Sequence, residues 1–470
     1  MSKETSKKRK IRFRASKKVN ISAKENGKIM LWQVKKILNC HFPDLSIRLS
    51  SLNNPREEIR YTIEELVMAA ITLFLMKFKS RNEFNLKASD EQFCRNYYCM
   101  FRLRVPNMDA VDELLELMDT KELENLRCHF IRALIEKRVF HKFRFLGNYF
   151  YIAIDGTGAY NWKDTPPEGI LPFALSRESK NGKVSYTGQV LEAVLVCSNG
   201  MYIPFVSEWI ANDGNKYDKQ DCELKAFKRL AERLKEYFPR LPVCFLTDGL
   251  YTNVAIMDIY RDNDWTFITV FKDGNLPSVW EEVESLLPLV KKECTRQQLL
   301  ADSTYRIKRS YRWIKDIDYK KHKIHWVECV QQMIHKDTGK VKENTFVFLT
   351  TLDVKHNNID KILMAGRARW WIEEHFNTQK NRGGVLHHKF NRTIFDALKN
   401  WHSVRQLACM MLQMATHTKE LLKLKETKGV KMTWRELWEN LNSFLTMCSV
   451  DSLIDEFENW SKGPRQVRLE

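Results

Sequence analysis

The stretch Tyr149-Phe150-Tyr151-Ile152-Ala153-Ile154-Asp155-Gly156-Thr157-Gly158 decides how the chain is read. It opens with six apolar or aromatic residues, too few for a core helix and rich in the side chains that strands favour. The run ends in an acid followed by Gly-Thr-Gly. This predicts a buried strand that stops at Asp155 and a turn beyond it.

Downstream the texture stays α/β. Val190 to Cys197, the turn Ser198-Asn199-Gly200, and Met201 to Ile210 predict a hairpin. Asp218 to Phe238 has Leu224, Phe227, Leu234 and Phe238 on one helical face, and Pro239 ends it. Leu241 to Thr247 predicts a second buried strand, again running into an acid and a glycine, Asp248-Gly249. A short helical segment and an apolar strand at Trp265 to Phe271 follow. Aromatic-rich strand candidates lie at Tyr305–Trp313 and Lys323–Met333, and Ile359 to Lys380 is mostly helical.

Upstream, residues 29 to 145 have helical periodicity. Thr62-x-x-Glu65 is a capping-box signature directly before the apolar run Leu66–Met76. Met108 to Leu126 repeats apolar residues at three- and four-residue spacing, as one helix would. The expected organisation is a basic flexible arm (1–20) and a helical region (21–145). An α/β domain (146–395) with a β-rich insertion at about 275–345 follows, then a helical C-terminal region (396–470).

Two acids at the ends of buried strands can become neighbours in a parallel sheet. Paired carboxylates repel unless a cation neutralises them, and all-oxygen donors suit Mg²⁺ or Mn²⁺. By itself an Asp-Gly after a strand is also an ordinary turn. The third element is Arg367-Ala-Arg369-Trp-Trp-Ile-Glu373-Glu374-His-Phe-Asn-Thr-Gln-Lys380. At about 100° per residue, Arg369, Glu373 and Lys380 share one helix face and Glu374 lies on another. A surface ladder of ion pairs would give the same spacing.

Together, Asp155-Gly-Thr, Asp248-Gly-Leu-Tyr251 and Arg369-x3-Glu373-x6-Lys380 resemble the three signature regions of DDE transposases from bacterial insertion sequences. The similarity covers about residues 145 to 390. It is to the branch whose third signature reads Tyr-x2-Arg-x3-Glu-x6-Lys. The order strand, hairpin, helix, strand, helix, strand is the one expected of an RNase H-like sheet. The resemblance implies that Asp155, Asp248 and Glu373 bind catalytic divalent metal, Mg²⁺ with Mn²⁺ able to substitute. It also implies that Arg369 and Lys380 hold phosphates of a transposon end. Two departures stand out: Gly366 occupies the position of the signature tyrosine, and glycine directly follows the second acid.

Residues 249–372 far exceed the roughly 30–50 that a strand, a connector and a helix start require. The surplus matches the β-rich insertion of this type of transposase, where an aromatic ring stacks a base flipped from a hairpin end. Trp313 and Trp326 are the candidates there, and packing inside a β subdomain is their alternative role. The resemblance further implies a homodimer that pairs two DNA ends.

Charge points the same way. The formal net charge is +18, and residues 1–18 hold nine Lys/Arg against one Glu, an excess that favours a nucleic-acid partner. No apolar run is long enough for a membrane span, and the basic N-terminus is no secretory signal, so a cytoplasmic, nucleoid-associated protein without a membrane partner is expected. Eleven cysteines without paired metal-ligand spacing predict reduced structural thiols. No nucleophile elbow and no phosphate-binding Gly-x4-Gly-Lys loop is present. A nuclease of the same fold, or a transposase-derived DNA-binding protein that no longer cleaves, would share most of these features.

Overall fold

A computed structural model describes residues 23–57, 59–163, 175–178, 184–210, 222–272, 274–426, 433–463 and 465–470. The basic arm and the first residues of the helix expected from Asp218 lie outside them.

Among the described residues, ten strands form one mixed sheet: β1 (Phe150–Trp162), β2 (Leu175–Glu178), β3 (Val184–Val196), β4 (Tyr202–Ile210), β5 (Val243–Thr247), β6 (Thr266–Val270), β7 (Thr295–Ala301), β8 (Tyr305–Tyr319), β9 (His322–His335) and β10 (Val341–Thr350). Their order is β2-β3-β1-β5-β6-β10-β9-β8-β7, with β4 also paired to β3. β1, β3 and β4 are antiparallel neighbours, whereas β5 and β6 run parallel to β1. The helices Glu223–Tyr237 and Val254–Asp262 supply the crossovers that parallel pairing demands.

β1 shows why the sheet is covered on both faces. Phe150, Ile152 and Ile154 enter one apolar core, while Tyr151 and Ala153 enter the other. That is the period-two alternation of a strand in a layered fold. The first core gathers helices from the N- and C-terminal regions, from Met30 to Ile454, against the sheet. The second packs the helices Ile359–Arg367 and Trp371–Asn381 against the sheet.

Several local expectations are met by local physics. The capping box at Thr62 forms: Glu65 N donates to Thr62 Oγ1 at 3.2 Å and Thr62 N to Glu65 Oε2 at 2.9 Å. The β3–β4 hairpin turns through Gly200 at φ +86°, a conformation that favours glycine. The helix expected over Met108–Leu126 is instead two, Met108–Leu117 and Thr120–Glu136. Asp119 interrupts it, because its side chain accepts from Lys121 N and caps the second helix.

The larger-scale arrangement rests on contacts between distant segments. The β-rich insertion joins the main sheet. β10 pairs with β6 through Phe348 and Val270, so β7–β10 extend the central sheet. The N- and C-terminal helical regions also merge. Asn96 Nδ2 donates to Leu445 O at 2.7 Å and Cys448 O at 2.8 Å, capping the helix Trp434–Met447. No helix among the described residues is long and apolar enough to cross a membrane.

Candidate active site

The last parallel pair between β1 and β5 is Ala153 with Leu246. Asp155 and Asp248 each follow two residues later, so both acids emerge level at the same end of adjacent strands. β5 stops there. Asp248 Oδ1 accepts from Leu250 N at 2.9 Å and caps the short 3₁₀ turn Gly249–Tyr251. β1 does not stop. It continues along β3 to Trp162, so the turn expected at Gly-Thr-Gly is absent. The glycine there serves close approach: a Cβ on Gly156 would overlap the Glu223 carboxylate.

Arg369 sits on a 3₁₀ turn, Ala368–Trp370, immediately before the helix Trp371–Asn381. Its Nη1 donates to Asp155 Oδ2 at 3.3 Å and its Nη2 to Glu373 Oε1 at 2.9 Å. The same helix face ends in Lys380, whose Nζ donates to Thr157 Oγ1 at 2.6 Å. Arg369, Glu373 and Lys380 therefore all face β1. Glu374 points elsewhere, accepting from Asn377 Nδ2 at 3.2 Å and pairing with Arg382.

Burial above all raises the Asp155 carboxyl over the usual carboxylate range. Arg369 and the Gly156 amide oppose the shift, while the Asp248 and Glu373 charges add to it. Glu223, in the first turn of the helix Glu223–Tyr237, is a fourth acid in this region. Burial raises its carboxyl too, helped by the charges of Asp155 and Asp248. Nothing in its local sequence marks Glu223; only the crossover from β4 to β5 brings it to Gly156. Lys380 is shifted downward by burial, against the pull of Asp155.

Carboxylate oxygens are the donor set that Mg²⁺ and Mn²⁺ take, so Asp155, Asp248 and Glu373 fit such a cation in chemistry. Among the described residues, no group of three or more His, Cys, Asp or Glu side chains is arranged to hold a metal ion as it stands. The cation between Asp155 and Glu373 is the Arg369 guanidinium itself.

Both tryptophans singled out for base stacking require correction. Trp313 is 2% exposed and Trp326 1% exposed. They enter opposite cores because neighbouring positions of the paired strands β8 and β9 alternate between faces. A ring packed in a core offers no face to a base. The exposed ring beside the acids is Trp370, 64% exposed, with the Arg369 guanidinium 5.8 Å from its centroid.

Gly366 also has a structural cause. It is buried in the helix Ile359–Arg367, and a Cβ there would lie 2.7 Å from the Phe348 ring. The signature tyrosine has no room where β10 joins the sheet. Gly366→Ala is expected to destabilise the fold by about 1–3 kcal/mol through overpacking. Denaturant unfolding would check this, and a neutral result would mean that Phe348 yields freely.

No protein-family model matches the chain, and no curated protein matches it.

Proposed function

We propose that the chain is a DNA transposase of the DDE type, with an RNase H-like core that cleaves DNA and joins the freed end to a target. The observation that carries this reading is the level placement of Asp155 and Asp248, with Arg369 tying Glu373 to Asp155. The core supports it as well: three antiparallel strands, β4-β3-β1, followed by two parallel ones, β5 and β6.

Asp155, Asp248 and Glu373 would hold divalent metal, which when bound supplies the charge that activates an attacking hydroxyl and stabilises the departing oxygen. Arg369 and Lys380, on the same helix face as Glu373, would clamp backbone phosphates of the DNA end. Arg369 would then exchange its carboxylate partners for phosphate oxygens. The exposed Trp370 ring is of the type that stacks on an unpaired base. The net charge of +18 suits long-range attraction of duplex DNA, and a homodimer would pair the two ends.

The test uses duplex carrying the element's own terminal sequence, a supercoiled plasmid and Mn²⁺. Nicking at the element boundary and covalent joining to the plasmid are expected. Nicking without joining would assign a nuclease of the same fold. Binding with neither reaction would assign a non-cleaving DNA-binding protein.

A further inference from the structure

Directly opposite Asp155 in the antiparallel register of β1 and β3 stands Glu192. Paired residues of this kind project from the same sheet face. Glu192 is 1% exposed, yet both its oxygens have donors. Ser207 Oγ donates to Oε2 at 2.8 Å, while His402 Nε2 at 2.6 Å and Gln406 Nε2 at 2.9 Å reach Oε1. His402 and Gln406 belong to the central helix Phe395–Thr416.

The chain of contacts then passes to the helix that carries Glu373. Gln379 Nε2 donates to Gln406 Oε1 at 2.8 Å and lies 2.7 Å from His375 Nε2. His375 and Gln379 are buried, one turn apart on the inner side of the helix Trp371–Asn381. Gln406 Nε2 thus donates to Glu192, and Gln379 Nε2 donates both to Gln406 Oε1 and to His375 Nε2. Arg405 reinforces the junction, its Nη1 3.2 Å from His402 Nδ1 and its Nε donating to Gly384 O at 2.8 Å.

We infer that this buried relay is a positioning device: it sets the rotation of the helix Trp371–Asn381, and hence the location of Glu373, relative to the strand bearing Asp155. The inference rests on the catalytic role proposed above for those two acids. Apolar contacts from Ile372 and Phe376 hold the helix against the sheet but tolerate small rotations. Directional hydrogen bonds between buried groups do not, because a buried polar group left unpaired is costly. A slip of one residue turns a helix by about 100° and would exchange Glu373 for a neighbour. Both ends of the relay are adjacent to the site: Glu192 faces Asp155 across the strand pair, and His375 lies two residues from Glu373.

The test replaces Gln406 and Gln379 by methionine, of similar length and without hydrogen-bonding groups, singly and together. Each single variant is expected to bind end DNA like wild type while its single-turnover cleavage rate falls about 10- to 100-fold, as displaced catalytic groups do. The double variant is expected to be no slower than the worse single, since both changes break one connection. Amide exchange over residues 371–381 is expected to accelerate, with the helix Trp434–Met447 unchanged. Leu441→Ala in that remote helix serves as the control: it lowers thermal stability and keeps the wild-type rate. If Gln406→Met lowers stability but keeps both the rate and the exchange pattern, the relay is packing alone and the inference falls. If Asp155→Asn cleaves like wild type, or wild type does not cleave, the functional reading fails separately. Exchange then decides the relay by itself, and unchanged protection at 371–381 overturns it.

Discussion

Glu373→Gln is expected to lower metal-dependent DNA cleavage by about 10³-fold or more, roughly 4 kcal/mol of lost transition-state stabilisation. Glu374→Gln is expected to stay within about threefold of wild type, which is below 1 kcal/mol. The two glutamates are adjacent and chemically equivalent, so only their directions separate them. Glu373 joins Arg369 and, through it, Asp155. Glu374 joins Arg382 and Asn377 at the surface, where an ion pair is worth about 0–1 kcal/mol. End binding should survive in both variants, and gel-shift titration beside single-turnover cleavage would show it. A dead Glu374→Gln beside an active Glu373→Gln would reject the helix register and the alignment of the third signature.

The second large effect has opposite signs in activity and stability. Asp155→Asn should abolish cleavage and raise the melting temperature at pH 7 in EDTA. The folded environment raises the Asp155 carboxyl above its ordinary value of 3.8, mainly by burial and in spite of Arg369. A raised acid binds more protons in the folded chain than in the unfolded chain between the two values. Stability therefore falls as pH rises from the ordinary value through the folded value, and the penalty of the buried charge is present above it. Asparagine carries no such charge, so its advantage should be largest at pH 7 and should vanish as pH falls below about 3.8. Melting curves in EDTA across that range check the sign. A variant less stable than wild type at pH 7 would show that the Arg369 contact outweighs burial. Metal addition should raise the melting temperature of wild type but not of the variant, because ligand stabilises only the form that binds it.

Some of the architecture is written in short windows of sequence. The capping box at Thr62 and Glu65, the hairpin turn at Gly200, the buried strand leading into Asp155 and the one ending just before Asp248 all depend on residues within a turn or a strand length of one another. Sequence spacing also puts Arg369, Glu373 and Lys380 on one helix face, and the structure turns that face toward β1.

What the residues alone left open depends on contacts between distant segments. Trp313 and Trp326 are aromatic residues in strands whichever face is covered. Apolar layers packed on both faces of the sheet bury them. β1 reads as ending at Gly-Thr-Gly because glycine usually breaks strands, but pairing with β3 carries it on to Trp162. Gly366 departs from the signature in sequence, but its cause shows only where Phe348 of β10 packs against it. Glu223 has no sequence mark and reaches the acids only through the crossover from β4 to β5. The relay from Glu192 to His375 joins residues of β3 to two helices far along the chain. Propensity, capping and periodicity act over a few residues and set which segments are strands and helices and which side chains share a face. Strand order, burial and polar networks come from pairing across long loops, so only the assembled tertiary structure decided them.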